Sequence, residues 1–148
     1  MHKVWTSNLE TGISEIDSGN KKIIGYINTL SDAREKGSIA EVSNVLDHLL
    51  DHVCNQFLFE EHMMKQAGYK YHKAHEKVHE LFAKKLAEFR GRVQNNENII
   101  DDVIDMLVSW VDGHIQNEDN MYADTLQLKI EKEGGDSWVK GVLKKLFG

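Results

Sequence analysis

The sequence predicts an all-α protein: an antiparallel up-down four-helix bundle with an N-terminal arm and a short C-terminal amphipathic helix. Four long segments place apolar residues at intervals of three and four, which is the spacing of one helix face. The breaks between these segments are short, as expected for antiparallel neighbours. No window keeps the alternating pattern of a strand for more than a few residues. These observations together favour a helical bundle over an architecture that contains a sheet.

The four predicted helices follow one another after the irregular arm. They are expected at about 17–36, 38–67 and 69–92, and from about 96 to beyond His114. Asp17 or Ser18 can cap the first helix. Because proline is absent, glycines are expected to end the helices. The expected stops are Gly37, Gly68, Gly91 and the pair Gly134 and Gly135.

Each predicted helix carries one apolar stripe that is expected to face the core. The stripes are Ile23, Ile24, Ile27 and Leu30 on the first helix; Val42, Val45, Leu46, Leu49, Val53 and Phe57 on the second; Val78, Phe82, Leu86 and Phe89 on the third; and Ile100, Val103, Ile104, Leu107, Val108 and Val111 on the fourth.

Length and composition limit the class of protein. The 148 residues suit a single domain, and 41% hydrophobic with 28% charged residues is normal for a globular chain. A net charge of −6, with acids and bases interspersed, argues against general nucleic-acid binding. The lone Cys54 rules out an internal disulfide and suits a reducing compartment. With neither a signal-peptide pattern nor an apolar run long enough to span a membrane, a cytoplasmic protein is predicted.

A short basic amphipathic helix is predicted at residues 136–148, after a bundle at residues 1–135. Its apolar residues are Trp138, Val142, Leu143, Leu146 and Phe147, and its bases are Lys140, Lys144 and Lys145. One interpretation is that this helix docks on the bundle. The other is a contact with a protein partner or a membrane surface through residues 137–148.

The third segment carries a pair of histidines at metal-ligand spacing. His75 and His79 are four residues apart, so both rings project from the same helix face. Burying two unpaired imidazoles in a core is unfavourable, and a metal ion would satisfy both; structural histidines remain the alternative. His72 is assigned to the helix start or the surface.

The fourth segment adds His114 and, five residues later, Asp119. On an ideal α-helix these two side chains diverge. Both can face the core only where the helix is locally widened, for example by a π-bulge, a feature often found at functional sites. Gly113 would permit close backbone approach at this point.

The second segment repeats polar residues every four positions, at His48, His52, Gln56 and Glu60. Glu61 and His62 are expected on a solvated face. Bundle cores bind metals through side chains of facing helices, and imidazole with carboxylate suits iron, zinc or manganese. Five donors, one short of an octahedron, would leave a position for a small ligand; they are Glu60, His75, His79, His114 and Asp119.

Five stretches, in order and at bundle spacing, give the chain a resemblance to bacterial hemerythrins (bacteriohemerythrins) over nearly its whole length. They are "WTSNLETGISEID", "KKIIGYINTL", "FLFEEHMMKQAGY", "HKAHEKVHELF" and "WVDGHIQNEDNMY". The resemblance implies a non-haem di-iron site with five histidines and two bridging carboxylates, which binds O2 reversibly. It also implies that His75, His79 and His114 bind one iron and that Glu60 and Asp119 are the bridging carboxylates.

Both histidines that the family uses for the other iron are replaced. The family pattern ID-x-Q-H-K reads "IDSGNKK" here, which puts Asn20 at the histidine position, and H-F-x-x-E-E reads "QFLFEE", which puts Gln56 there. Amides are weaker donors to such metals than imidazole. One iron is therefore favoured, with two irons or a zinc ion as alternatives. Asn20 and Gln56 are expected to hydrogen-bond to a carboxylate or a bound water instead, and His52, one turn before Gln56, is a remote candidate for a compensating ligand.

The leading functional hypothesis is binding or sensing of O2, NO or an anion at this mononuclear or weakened di-iron site, without catalysis. The two-electron O2 carriage of the family is questioned, because one iron readily supplies only one electron. A bundle that binds a protein partner and holds a structural metal is the alternative. An enzyme that consumes superoxide or peroxide ranks last, since no proton donor is identifiable from the sequence.

Overall fold

Four helical rods form the bundle. A computed structural model describes residues 2–148, apart from the side chain of Glu118. The first three rods are α1 (Ser14–Lys36), α2 (Ile39–Gln66) and α3 (His72–Gln94). The fourth rod is continuous and consists of α4 (Ile100–Trp110), a π-helical segment (Val111–Asp119) and α5 (Asn120–Lys132).

Consecutive rods pack on each other and α4 returns to α1, so the predicted up-down bundle is confirmed. Ahead of α1, the arm contains a short 3-10 helix (Ser7–Leu9) whose Leu9 is buried. Within residues 2–148, no helix combines the length and the apolar character that crossing a membrane would need.

The start of α1 differs from the prediction. The helix begins at Ser14 and its N-cap is Ile13, so neither Asp17 nor Ser18 caps it. Asp17 instead accepts hydrogen bonds from the backbone N–H groups of Thr11 at 2.8 Å and Gly12 at 3.1 Å. The carboxylate therefore holds the arm against the first turn of α1. Its position in the sequence suggested a cap, but its hydrogen bonds go to the arm.

Glycine and serine account for several of the other helix ends, but the N-caps of α3 and α4 are Tyr71 and Ile99, which make no side-chain cap hydrogen bond. Gly37, Gly68 and the 134–135 pair all have positive φ, which removes the Cβ penalty of the left-handed region. Ser38 caps α2 by accepting the N–H of Glu41. Gly91 was expected to stop α3, but the helix continues to Gln94, so that prediction is wrong.

Two apolar clusters fill the bundle, and a polar layer lies between them. Every rod contributes buried polar residues to this layer: Asn20 on α1, Gln56 and Glu60 on α2, His75 and His79 on α3, and His114 and Asp119 on the fourth rod. On α1, for example, Asn20 follows Ile16 of the smaller cluster and precedes Ile23 of the larger one. The smaller cluster comprises Ile13, Ile16, Phe59, Met63, Met64, Tyr69, Tyr122, Leu126, Val139 and Val142.

The C-terminal helix α6 (Asp136–Phe147) docks on the bundle against α2 and α5. Val139 and Val142 are buried in the smaller cluster, where each contributes about 1.5–3 kcal/mol of apolar burial. Trp138 donates its indole N–H to Oε1 of Gln66 at 3.2 Å. Most of the apolar face of α6 is thus used within the chain, while Phe147, Lys144 and Lys145 stay exposed.

Candidate metal centre

Three imidazole rings converge in the polar layer. His75 and His79 lie on α3 and their ring centroids are 4.5 Å apart; His114 from the fourth rod completes the group. Nε2 of His79 is 3.3 Å from Nε2 of His114. All three side chains are buried, so their ring nitrogens lie close together and away from solvent.

The π-helical segment brings His114 and Asp119 to the same face. In a π-helix the backbone hydrogen bonds join residues five apart, so residues at this spacing become neighbours along the axis. Oδ1 of Asp119 lies 3.1 Å from Nε2 of His114 and 3.3 Å from Nε2 of His75. The predicted local widening is confirmed. The predicted close approach at Gly113 is wrong, because a Cβ there would meet nothing within 4 Å.

Glu60 enters from α2 on the opposite side. Its Oε1 lies 3.8 Å from Nε2 of His79 and accepts a hydrogen bond of 2.9 Å from the hydroxyl of Tyr122. Tyr122 is fully buried and packs edge-on to His75, with ring centroids 5.1 Å apart. The structure therefore brings His75, His79, His114 and Asp119 together, with Glu60 beside His79. It adds a hydroxyl that the sequence reasoning missed.

Glu61 is not on a solvated face, contrary to the sequence prediction. Its Oε2 is 3.0 Å from Nδ1 of His79, and this half-buried carboxylate accepts a hydrogen bond there from the tautomer that carries its N–H at Nδ1. With Nδ1 protonated, the lone pair of His79 is on Nε2 and points to the other donors. A carboxylate behind a ligating imidazole fixes both its tautomer and its orientation.

Aromatic side chains hold two of the imidazole rings from outside. Phe57 stacks on His79 with centroids 3.8 Å apart and planes 7° from parallel. Trp110 stacks on His114 at 3.8 Å and 16°. Each of the two imidazoles is thus held in its own ring orientation, which preorganises the donor set.

An unbroken chain of two amides joins the two buried carboxylates. Nε2 of Gln56 donates to Oε2 of Glu60 at 2.8 Å and to Oδ1 of Asn20 at 2.6 Å. Nδ2 of Asn20 then donates to Oδ2 of Asp119 at 3.4 Å. We call Asn20 and Gln56 the amide bridge. The expected hydrogen bonds from these two residues to carboxylates are present.

The remaining candidate histidines lie away from this group. His52 donates from Nε2 to the carbonyl oxygen of Gly19 at 2.9 Å, so its ring is engaged with α1 and does not replace a missing ligand. His48 is exposed, and His72 is the first residue of α3.

Burial and neighbouring groups shift the pKa values of His79, Glu60 and Asp119. Burial, together with the neighbouring His75 and His114, lowers the pKa of His79 to about 2. Burial and the nearby Asp119 raise the pKa of Glu60 well above its usual value. Burial also disfavours the charge on Asp119, but the adjacent His114 and His75 outweigh it and lower its pKa. Neutral imidazole is the form that binds metals.

Two unsatisfied atoms fit a bound cation. Among the residues that the structure describes, Nε2 of His75 and Oδ1 of Asp119 are buried without a hydrogen-bond partner, although they lie near each other. Buried polar atoms without partners are rare and unfavourable. Two imidazole nitrogens bound to one ion at about 2.1 Å are separated by about 3 Å, close to the 3.3 Å observed. His75, His79, His114 and Asp119 form a group that could hold a metal.

The fold and this donor set define the class: a helical-bundle protein with a buried cation site of imidazoles and carboxylates. The sequence profile of the hemerythrin HHE cation binding domain matches residues 11–126. The chain is 37% identical to a bacteriohemerythrin of Pseudomonas paraeruginosa, with 99% of each chain covered. It is also 37% identical to a bacteriohemerythrin of Stenotrophomonas maltophilia, with 98% of this chain and 97% of the relative covered.

Solved structures agree with the sequence comparisons. A crystal structure of a hemerythrin mutant superposes with a TM-score of 0.79 and 26% identity, covering 84% of this chain and 96% of the other. The chain belongs to the hemerythrin family, and it is a hemerythrin-like, non-haem iron-binding domain.

Sequence reasoning missed Tyr122 and Glu61. Tyr122 follows Asp119 by three residues, a spacing that puts both on one helix face once α5 has begun. That spacing was the available signal. No comparable signal exists for Glu61, because its partner lies on another rod.

Proposed function

We propose that this protein binds one iron ion through His75, His79, His114, Glu60 and Asp119, and that it binds or senses a small ligand at the remaining position. The ligand is O2, NO or a small anion. Support comes from the convergence of three imidazoles and Asp119, with Glu60 3.8 Å from His79, which gives five donors for an ion that accepts six. The proposed role is binding and not turnover.

The amide bridge is the single observation that favours one metal over two. Each buried carboxylate has one oxygen near the imidazoles, namely Oε1 of Glu60 and Oδ1 of Asp119. The other oxygen of each carboxylate accepts an N–H of the amide bridge. A second cation would need those same two oxygens, and the bridge offers it N–H donors in place of imidazole.

When bound, the iron supplies an open coordination position and one readily available electron. The protein's own groups do the rest. Glu61 keeps the proton of His79 on Nδ1. Tyr122 donates to Oε1 of Glu60 and so holds that carboxylate in position. The stacked Phe57 and Trp110 exclude water from two of the imidazoles, which strengthens electrostatic interactions there.

Metal content tests this proposal. Protein purified anaerobically and supplied with Fe²⁺ is expected to hold one iron per chain by elemental analysis. His79→Ala is expected to abolish that iron, whereas the matched control His48→Ala, an exposed histidine of α2, is expected to retain it. Two irons per wild-type chain would contradict the proposed stoichiometry, and a His79→Ala variant that still holds iron would contradict the site.

The alternative function, a partner-binding bundle with a structural metal, gains no support from α6. Its apolar residues Val139 and Val142 are buried inside the chain. A partner that used this face would first have to detach α6 from α2 and α5.

A further inference from the structure

Gly19 lies on α1 where this helix approaches α2, and its lack of a side chain makes room for Gln56. A Cβ at position 19 would lie 2.7 Å from Cδ of Gln56 and closer still to its Oε1. Contacts below 3.0 Å are essentially never made by real Cβ atoms. Any other residue at position 19 would therefore displace the Gln56 amide.

The backbone does not require glycine at this position. Gly19 is in the middle of a regular helix and is absent from the residues with positive φ. Glycine inside a helix is unfavourable by about 0.5–1 kcal/mol relative to alanine. The structural reason for glycine at this position is the space that it leaves for the side chain of Gln56.

Moving the amide would disturb its two hydrogen bonds. Both N–H groups of Gln56 are used, one to Asn20 and one to Glu60. Its Oε1 is buried without a hydrogen-bond partner among the described residues, so no acceptor contact fixes the amide. Its position is fixed by these two donated hydrogen bonds and by the space above Gly19.

The close approach of the two helices is itself fixed beside Gly19. The imidazole of His52, one turn before Gln56 on α2, donates to the carbonyl oxygen of Gly19 at 2.9 Å. α1 cannot move away from α2 to admit a side chain without breaking this bond. A larger residue at 19 must therefore act on Gln56 itself.

We propose that Gly19 is a positioning residue that sets the metal stoichiometry of the centre. By seating Gln56, it completes the amide bridge, and the bridge withholds Oε2 of Glu60 and Oδ2 of Asp119 from a second divalent cation. This inference rests on the proposed one-metal function and adds the residue on which that stoichiometry depends.

Co²⁺ titration of the metal-free protein tests the inference with Gly19→Ala and the matched control Gly25→Ala. Gly25 is also inside α1, but a Cβ there would meet nothing within 4 Å. Gly19→Ala is expected to bind a second Co²⁺ about tenfold more tightly than the wild type, because a charge-assisted hydrogen bond to Glu60 no longer competes. Gly25→Ala is expected to behave as the wild type.

Gln56→Ala supplies the second arm of the experiment. It removes the displaced group itself, so it is expected to raise second-cation affinity as Gly19→Ala does, and the combined variant should gain nothing further. The metal-free Gly19→Ala protein should also melt below the wild type, whereas Gly25→Ala should melt above it. Additive effects of the two substitutions on cation affinity would overturn the inference.

The outcomes separate the inference from the proposed function. A wild type that binds one Co²⁺ tightly, with a second-cation affinity that Gly19→Ala leaves unchanged, overturns the role of Gly19 and leaves the one-metal site intact. A wild type that binds two Co²⁺ tightly overturns both.

Discussion

The hydroxyl of Tyr122 donates a 2.9 Å hydrogen bond to Oε1 of Glu60, and both side chains are at most 1% exposed. This bond connects α5 to α2 through the polar layer. It makes the position of Glu60 depend on a residue 62 positions away in the chain.

Tyr122→Phe is expected to destabilise the metal-free protein by about 1–3 kcal/mol, because it leaves a buried carboxyl oxygen without its donor. Urea unfolding followed by circular dichroism measures this. Tyr71→Phe is the matched control, since Tyr71 is 52% exposed, and it should change stability by no more than about 0.5 kcal/mol. Equal effects of the two substitutions would show that the Tyr122 bond contributes nothing.

Glu61→Gln is expected to weaken iron binding about 10- to 100-fold, the usual effect of changing the hydrogen-bond partner of a ligating histidine. The amide can no longer accept a charge-assisted bond from Nδ1 of His79. Competition with a chelator of known affinity measures the change. Glu80→Gln serves as the control, because Glu80 is exposed and its ion pair with Lys77 is on the surface. Unchanged affinity in Glu61→Gln would refute the orienting role.

The double substitution Asn20→His with Gln56→His is expected to raise metal content from one toward two ions per chain. It replaces both members of the amide bridge with imidazole, which is the stronger donor to late first-row metals. Elemental analysis after loading with Fe²⁺ gives the answer. If content stays at one, the second position is closed by something other than these two amides.

Val142→Ala is expected to destabilise the protein by about 2 kcal/mol, since it removes apolar area from the smaller cluster and leaves a cavity. Lys140→Ala on the exposed side of the same helix should have little effect. Thermal or urea unfolding compares the two. A Val142→Ala protein as stable as the wild type would mean that α6 docks only weakly.

The sequence predicted the rods because they leave periodic signals along each helix, and it gave the candidate donors partly through such spacing and partly through the family resemblance. Ile23, Ile27 and Leu30 repeat at helix spacing and are buried as predicted. The five-residue step from His114 to Asp119 indicated the π segment, since no α-helix could bury both.

What the sequence could not show are contacts between rods. Glu61 looked solvated because its own helix gives no hint of His79 on α3. Asp17 looked like a cap because local sequence cannot distinguish a cap from a carboxylate that binds the arm. Gly19 carried no signal, since the space above it is defined by Gln56 on α2.

The polar layer between the two apolar clusters has a consequence for stability. It separates the two apolar clusters, so the contacts between rods at this level are hydrogen bonds and the donor set. A cation held by His75, Glu60 and Asp119 would cross-link α3, α2 and the fourth rod at this layer. Its binding free energy then adds to the unfolding free energy as the logarithm of metal concentration. Metal supply would thus raise the stability of the whole bundle from a layer that contributes little apolar burial.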